Sequence, residues 1–215
     1  MKDIVLAGIQ WSGKWTQAQK LIDKFGDQVT YFEAGGILRA LQSSDNAVGN
    51  YIGSVIDNGH YMPDDFMVGV YDLFVMSLKE GAACIVDGFP RQLGQMHWFI
   101  ERMKQRGREF IVIDLELPED KAVERLLNRR LCKPCWGIHN LILEPWISQC
   151  PSCGKELIQR KDEVKEEYIR NRFGEHYSKT GPVMEHFEGL GIVRKVNGDQ
   201  EIDKVFEDVL KVVTE

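Results

Sequence analysis

Long hydrophobic runs are missing from this 215-residue chain. No apolar stretch approaches the roughly 18–20 residues that a membrane-spanning helix needs. The N-terminal "MKDIVLAGIQ" has one Lys, one Asp and a short apolar run, but no small-residue cleavage site. It reads as a first β-strand, not a signal peptide. The expected location is therefore cytoplasmic, with no membrane partner. A basic excess is also missing: 27 Lys and Arg stand against 33 Asp and Glu, a net charge of −6. A general nucleic-acid binder shows the opposite sign. Internal repeats and low-complexity segments are absent. What remains is an ordinary soluble balance, 43% hydrophobic and 28% charged, long enough for one sizeable core with room for an insertion.

Apolar runs rich in Val and Ile occur at 3–8 ("DIVLAG"), 83–88 ("ACIVDG") and 109–117 ("EFIVIDLEL"). They are bounded by Gly, Pro or charge, as strands buried on both faces are. Shorter candidates are 29–33 and 191–197. Helical patterns cover 14–25, 63–79, 91–105, 119–130, 162–180 and 201–213. This alternation predicts a parallel α/β sheet with helices on both faces. Residues 34–62 and 131–159 break the alternation and read as excursions from the core.

Three motifs carry chemistry. The first is Gly8-x4-Gly13-Lys14, between an apolar strand and a helical pattern. Such a loop turns backbone N–H groups and a helix N-terminus toward an anion, and Lys14 adds a charge. The plain alternative is a glycine-rich turn joining strand to helix. The second is Cys132-x2-Cys135-x14-Cys150-x2-Cys153. Two Cys-x2-Cys knuckles at this separation suit a closed tetrahedral Zn²⁺ site with no open catalytic position. A pair of disulfides is the alternative, and a cytoplasmic chain disfavours it. Cys84 stands apart and reads as an inert buried thiol. The third is "VDGFPRQLGQ" (86–95), at the C-terminal end of an apolar strand, where ligands gather in open α/β sheets. Asp87 is placed to orient a metal-bound water and Arg91 to grip a phosphate, or the stretch is a strand-ending turn with Pro90 opening a helix.

Together these motifs resemble adenylate kinase in its long form with a zinc-bearing lid. The resemblance runs along essentially the whole chain. "GIQWSGKWTQ" (8–17) stands where the family has G-x-P-G-S-G-K-G-T-Q. "EAGGILRA" (33–40) resembles S-T-G-D-x-L-R-A, "GHYMPDD" (59–65) resembles G-x-L-V-P-D-E, and "DGFPRQLGQ" matches D-G-F-P-R-x-x-x-Q. "VERLLNRR" (123–130) matches the arginine helix entering the lid. "RKDE" (160–163) and "YIRNRF" (168–173) match the stretch that leaves it, with one extra residue between them. "KTGP" (179–182) and "VNGD" (196–199) resemble the closing motifs.

The resemblance implies a P-loop-type parallel five-stranded sheet flanked by helices. The core would be 1–33, 63–130 and 160–215, with a helical monophosphate-binding insertion at 34–62 and a small zinc lid at 131–159. It implies reversible phosphoryl transfer, MgATP plus AMP giving two ADP, by a monomer acting on small nucleotides and not on nucleic acid. Gly8, Ser12, Gly13, Lys14, Thr16, Arg125 and Arg129 would bind ATP, with Arg125 stacked on its adenine. Arg129, Arg160 and Arg172 would converge on the transferred group. Ala34, Gly35, Arg39, Met62, Gly88, Arg91 and Gln95 would form the AMP site with Arg160 and Arg172. Arg39 and Arg91 would hold the phosphate and Gln95 would read the base. Asp87 would orient the water shell of Mg²⁺. Closing the two insertions would exclude water from ATP.

Departures from the family pattern are specific. Ala34 replaces Thr and Gly36 replaces Asp. Ala at this position resembles the uridylate/cytidylate branch, whereas Gln95 and the long lid point back to adenylate. Trp11, Trp15 and Trp136 all stand on family glycines, and Trp98 and Trp146 do not. Position 11 needs close backbone approach to phosphate, and an indole at 15 is expected to occupy ligand space. Both indoles are expected at the surface edge of the sheet, outside the core. Three accounts stand: a relative that lost its loop, an active variant with an altered loop path, or UGA codons that the source lineage reads as glycine. Retention of Arg39, Arg91, Arg125, Arg129, Arg160 and Arg172 opposes the first. Replacement of glycine alone, at scattered sites, accords with the third.

Overall fold

A computed structural model describes every residue except 59, 133, 136, 161, 162 and 215. Trp136, Gly59 of the 59–65 motif, and Lys161 and Asp162 of the 160–163 motif therefore lie outside the described residues. The strands are β1 (Asp3–Ala7), β2 (Val29–Glu33), β3 (Ala83–Asp87), β4 (Phe110–Glu116), β5 (Arg129–Leu131), β6 (Ile138–Asn140) and β7 (Val193–Asn197). The helices are α1 (Lys14–Phe25), α2 (Ala34–Gln42), α3 (Ala47–Ile56), α4 (Asp64–Met76), α5 (Leu93–Gln105), α6 (Glu119–Leu127), α7 (Glu166–Gly189) and α8 (Ile202–Thr214). Five strands form one parallel sheet in the order β2-β3-β1-β4-β7. Sequential strands β1 and β2 are separated by β3, so the chain order reverses beside β1. Clefts for ligands open at the C-terminal strand ends at such a point.

Side-chain alternation explains the two-sided core. Ile4 and Leu6 face one side of β1 and Val5 the other. Val5, Phe32, Val86 and Val112 pack with Tyr71 of α4, Phe99 of α5 and Phe187 of α7. Ile4, Leu6, Ile85 and Ile113 pack with Leu21 of α1 and Val209 of α8. Both faces are apolar because helices cover both, so these strands read as continuous hydrophobic runs. A third cluster joins Ile9 and Leu117 to α6 and to Ile169 and Phe173 of α7.

Element boundaries differ from the sequence pattern in places. The helix expected to end at 180 continues through Pro182 to Gly189, because Val183 and Phe187 are buried against the sheet and outweigh a proline's usual effect. The helix expected to reach 130 stops at Leu127. Arg129–Leu131 leaves it as β5, antiparallel to β6, and Leu131 also bridges to Ile158. Trp11 is not among the buried core residues, as expected, but it packs against their edge. It is half-buried against the cluster that joins Ile9 and Leu117 to α6 and α7. Trp15 is 50% exposed. No described helix is long and apolar enough to cross a membrane.

Candidate active site

The phosphate-loop sequence forms a tight turn between β1 and α1. Gly8 has φ +120°, and a Cβ there would lie 2.5 Å from the Leu115 carbonyl oxygen and 2.7 Å from Ser12 Oγ. Only glycine fits both the backbone and the space. Gly13, with φ +102°, precedes Lys14 at the start of α1, and Thr16 lies in that first turn. Trp11 has φ 65°, the one positive φ at a non-glycine among the described residues. An indole-bearing residue is strained there by about 1–2 kcal/mol. The backbone at position 11 thus adopts the conformation a glycine would adopt freely.

Lys14 reaches back across this loop. Its Nζ donates to the carbonyls of Gly8 (2.8 Å) and Ile9 (2.7 Å), with Ser12 Oγ at 3.4 Å. Burial lowers its pKa to about 8; the negative charges of Asp87 and Asp114 oppose the shift and Arg91 adds to it. Asp87 ends β3, 9% exposed, and accepts from Tyr31 Oη at 3.2 Å. A cavity of about 210 Å³ opens beside Gly8, lined by Asp114, Glu116, His176 and Gly181. Burial, then the charges of Arg91 and Lys14, depress the His176 pKa to about 3. Its imidazole is therefore neutral beside two cations.

The residues expected to hold an acceptor gather at the end of β3 and the start of α2. A Cβ on Gly88 would lie 3.3 Å from Ala34 Cβ and 3.2 Å from an Arg91 Nη atom, so the Gly88 backbone lies against both side chains. Arg91 Nε donates to the Gly88 carbonyl (3.1 Å), and its guanidinium lies 5.3 Å from the Tyr61 ring centre. Gln95 is 2% exposed, and its Oε1 accepts from Arg91 N–H at 2.9 Å. Met62 is buried, and its carbonyl accepts from Gln92 Nε2. Arg39 is paired with Glu33 at 2.8 Å. Glu33 also explains Gly36: a Cβ there would lie 2.5 Å from Glu33 Oε2. A Gly35 Cβ would meet Arg39 at 2.9 Å.

A second group of arginines centres on Glu163, whose side chain is fully buried. Arg129 donates to both its carboxylate oxygens, Nε to Oε2 at 2.7 Å and Nη2 to Oε1. Arg172 Nη1 donates to Oε1 at 3.0 Å, and Arg160 Nε lies 4.0 Å from the same oxygen. Arg129 sits 5.6 Å from the Trp11 ring centre. Arg125 Nη1 donates to the Trp11 carbonyl (3.3 Å). The arginine group therefore borders the phosphate loop. Sequence reasoning gave no role to Glu163, Tyr31, Asp114 or His176. Glu163 lay inside a quoted motif, where an acid among arginines was the available signal.

The four cysteines converge far along the chain. Their sulfurs all lie within 4.8 Å of one another, Cys132 and Cys150 buried and Cys135 and Cys153 exposed. Cys132–Cys153 and Cys135–Cys150 are separated by 3.4 and 3.5 Å, too far for bonded sulfurs. The disulfide alternative is thus corrected, and four convergent thiols fit one tetrahedral Zn²⁺. His139 Nε2 lies 3.7 Å from Cys150 Sγ, with its Nδ1 3.1 Å from Glu144. Against the effect of burial, this contact and the backbone N–H groups of Ser152 and Cys153 lower the Cys150 thiol to about 6. Cys84 is buried in β3, and burial pushes its thiol up to about 12, as an inert side chain requires.

The sequence model of adenylate kinase matches residues 6–192. Similar proteins include adenylate kinases of Enterococcus faecalis, 30% identical and spanning 99% of both chains, and of Bacillus cytotoxicus, 32% identical over 96% of each. A third, from Limosilactobacillus reuteri, is 31% identical over 99% of this chain and 98% of its own. With a P-loop-like sheet, converged arginines and a four-cysteine cluster on one chain, and a match over nearly its whole length, the chain belongs to the adenylate kinase family.

Proposed function

We propose that the protein catalyses reversible phosphoryl transfer from MgATP to AMP, giving two ADP. An AMP phosphate oxygen attacks the γ-phosphorus, and the bond from that phosphorus to the β,γ-bridging oxygen breaks. The transferred group carries spread negative charge, so positioning and cationic stabilisation do most of the work. Lys14 and the loop N–H groups take the ATP phosphates with Gly8, Ser12, Gly13 and Thr16. Arg125 lies against the adenine side, and Arg129, Arg160 and Arg172 address the transferred phosphoryl. Arg39 and Arg91 hold the AMP phosphate among Ala34, Gly35, Met62 and Gly88. Gln95 has its oxygen committed to Arg91 and offers the base its amide N–H groups.

Asp87 suits the water shell of a Mg²⁺ ion, which would neutralise phosphate charge. The four thiolates suit a structural Zn²⁺ away from the reacting atoms. We assign 1–33, 63–130 and 160–215 to the core, 34–62 to acceptor binding and 131–159 to the lid. A cytoplasmic monomer is the accompanying reading.

The observation that carries the proposal is the convergence of arginines from three segments beside a Gly8–Lys14 loop. Phosphorus NMR of a mixture of ATP, AMP and Mg²⁺ tests it: ADP must accumulate to equilibrium, and a static spectrum ends the proposal. Two further readings have their own observations. Ala34 favours UMP or CMP as acceptor, and equal-concentration turnover with each monophosphate decides. Trp11 and Trp15 favour a silent nucleotide binder, which would bind ATP without forming ADP.

A further inference from the structure

Arg39 is one of the two arginines assigned to the acceptor phosphate, and a carboxylate of the protein already holds it. Its Nη2 donates to Glu33 Oε1 at 2.8 Å. We propose that Glu33 sets the affinity of the acceptor site: it is a built-in counter-charge that the phosphate of a nucleoside monophosphate must displace from Arg39. The inference rests on the proposed phosphoryl transfer and deepens it.

The backbone puts this acid at the site. Glu33 ends β2, and its partner in register on β3 is Asp87. Side chains alternate along a strand, so Glu33 and Tyr31 share one face of β2, and Tyr31 bonds Asp87. Glu33 therefore stands at the C-terminal strand ends beside the acid that suits Mg²⁺.

The cation comes to meet it. Side chains on a helix lean toward its N-terminus, and Arg39 does so across a full turn of α2. A Cβ on Gly35 would lie 2.9 Å from Arg39 Nη1 and 3.4 Å from Glu33 Oε1, so the ion pair lies over the bare first turn of that helix. Gly36 completes the arrangement. A Cβ there would lie 2.5 Å from Glu33 Oε2 and 3.1 Å from its carboxyl carbon. Any side chain at 36 would push the carboxylate aside. In the pattern S-T-G-D-x-L-R-A, Ser stands at the place of Glu33 and Asp at that of Gly36. This chain has the acid at 33 and bare backbone at 36, and the two departures fit each other in space.

The pair is loose enough to be exchanged. Both side chains are 32% exposed, and ion pairs so open to water are weak. A phosphate dianion brings more charge than a carboxylate and takes two N–H groups of one guanidinium. It wins Arg39, but its binding is weakened by the contact it must break and by the carboxylate charge that stays nearby. Removing the acid should therefore strengthen acceptor binding, the opposite of losing a residue that grips the substrate.

Calorimetry of AMP binding tests this without turnover. Glu33→Gln keeps the shape and removes the charge, so the AMP dissociation constant should fall about two- to tenfold at low salt. The gain should shrink as salt screens the charge. Adenosine, which has no phosphate, should bind both proteins alike. Gly36→Ala should tighten AMP binding in the parent by pushing the carboxylate off Arg39, and should do nothing in a Glu33→Ser background. Parental or weaker AMP binding by Glu33→Gln overturns the inference, as does an equal gain for adenosine or a Gly36→Ala gain that persists without Glu33. AMP binding that tightens as expected in a protein that makes no ADP overturns the proposed function and leaves this contact standing.

Discussion

The phosphate loop and the arginine group adjoin at Trp11 and are built on opposite principles. In the arginine group the cations face a buried acid of the protein itself, Glu163. In the loop Lys14 has no carboxylate within bonding distance among the described residues, and its ammonium rests on the Gly8 and Ile9 carbonyls. Neutral carbonyls offset a buried charge only partly, so the lysine pKa is low. Among the described residues the loop lysine thus lacks a bonded counter-charge, whereas the arginine group has one. The sequence departs from the family where the site depends on bare backbone, at Trp11 and Trp15, and keeps the arginines. Backbone-dependent binding tolerates no side chain in its path, while side-chain binding tolerates change around it.

Replacing both tryptophans by glycine should sharpen that contrast most. Trp11→Gly removes the strain of a positive φ, and Trp15→Gly clears the first turn of α1. If the change restores one or two charge-assisted bonds to phosphate, each worth about 1.5–3 kcal/mol, ATP binding tightens by roughly two orders of magnitude. Calorimetry of both proteins measures it. Turnover of tens per second in the tryptophan protein would show that the loop reaches phosphate by another path, and codon recoding would lose its physical motive. The codons at 11, 15 and 136 are the independent check.

Acidity separates the two regions by a smaller factor. Lys14 is charged below about pH 8 in the free protein and loses its proton above it, while nucleotide phosphates favour the charged form. ATP affinity should be flat below pH 8 and fall about tenfold per unit above it, as one linked proton requires. The free protein moves the other way. Its Lys14 pKa lies below the ordinary 10.5, so the unfolded chain holds the extra proton between the two values, and this group makes stability rise with pH there. Calorimetric titration from pH 7 to 9.5 tests the affinity; a Lys14→Met protein should lose most of the slope. An equal slope in both would assign the proton to another group.

The cysteine cluster offers a third regime, in which stability and chemistry come apart. Stripping zinc should lower the melting temperature by several degrees, since a loss of about 1–2 kcal/mol shifts a domain of this size by roughly 2–8 °C. kcat should change less than threefold, because the thiols lie in the proposed lid and not among the phosphate groups. Elemental analysis should find about one zinc per chain, the content of a single closed four-thiolate site. An unchanged melting curve in a metal-free sample would remove the zinc reading.

Much of this was legible in the sequence because two-sided burial leaves unbroken apolar runs. The five strands of the sheet fell where "DIVLA", "VTYFE", "ACIVD", "FIVIDLE" and "VRKVN" stand. The cysteine spacing likewise foretold convergence of the four sulfurs. Boundaries that depend on tertiary contacts were not legible. α7 passes Pro182 because the sheet takes up Val183 and Phe187. β5 forms because β6 and Ile158 supply partners that no local pattern announces. The arginines that converge on Glu163 could be picked out by type and position. Of the counter-charges only Glu163 carried a signal, an acid among arginines, and which arginine Glu163 or Glu33 faces is decided by rotamers and burial rather than by spacing.

The smallest expected effect concerns the acceptor base. Ala34 opens α2 and is buried beside Gly88, at the place where the family pattern has Thr. A hydroxyl there would add one neutral hydrogen bond, worth about 0.5–1.5 kcal/mol, which corresponds to a two- to twelvefold preference. Ala34→Thr should therefore raise the ratio of kcat/KM for AMP over that for UMP by a few-fold and leave kcat with AMP within about twofold. Space sets the upper bound. Ala34 is 3% exposed, so the added hydroxyl and methyl must fit among packed neighbours. Turnover with AMP, UMP and CMP at equal concentration gives the ratio for both proteins. An unchanged ratio would mean that Ala34 does not read the base. UMP or CMP outrunning AMP in the parent would move the specificity away from adenylate altogether, and Gln95, with its oxygen held by Arg91, would then serve the turn and not the nucleotide.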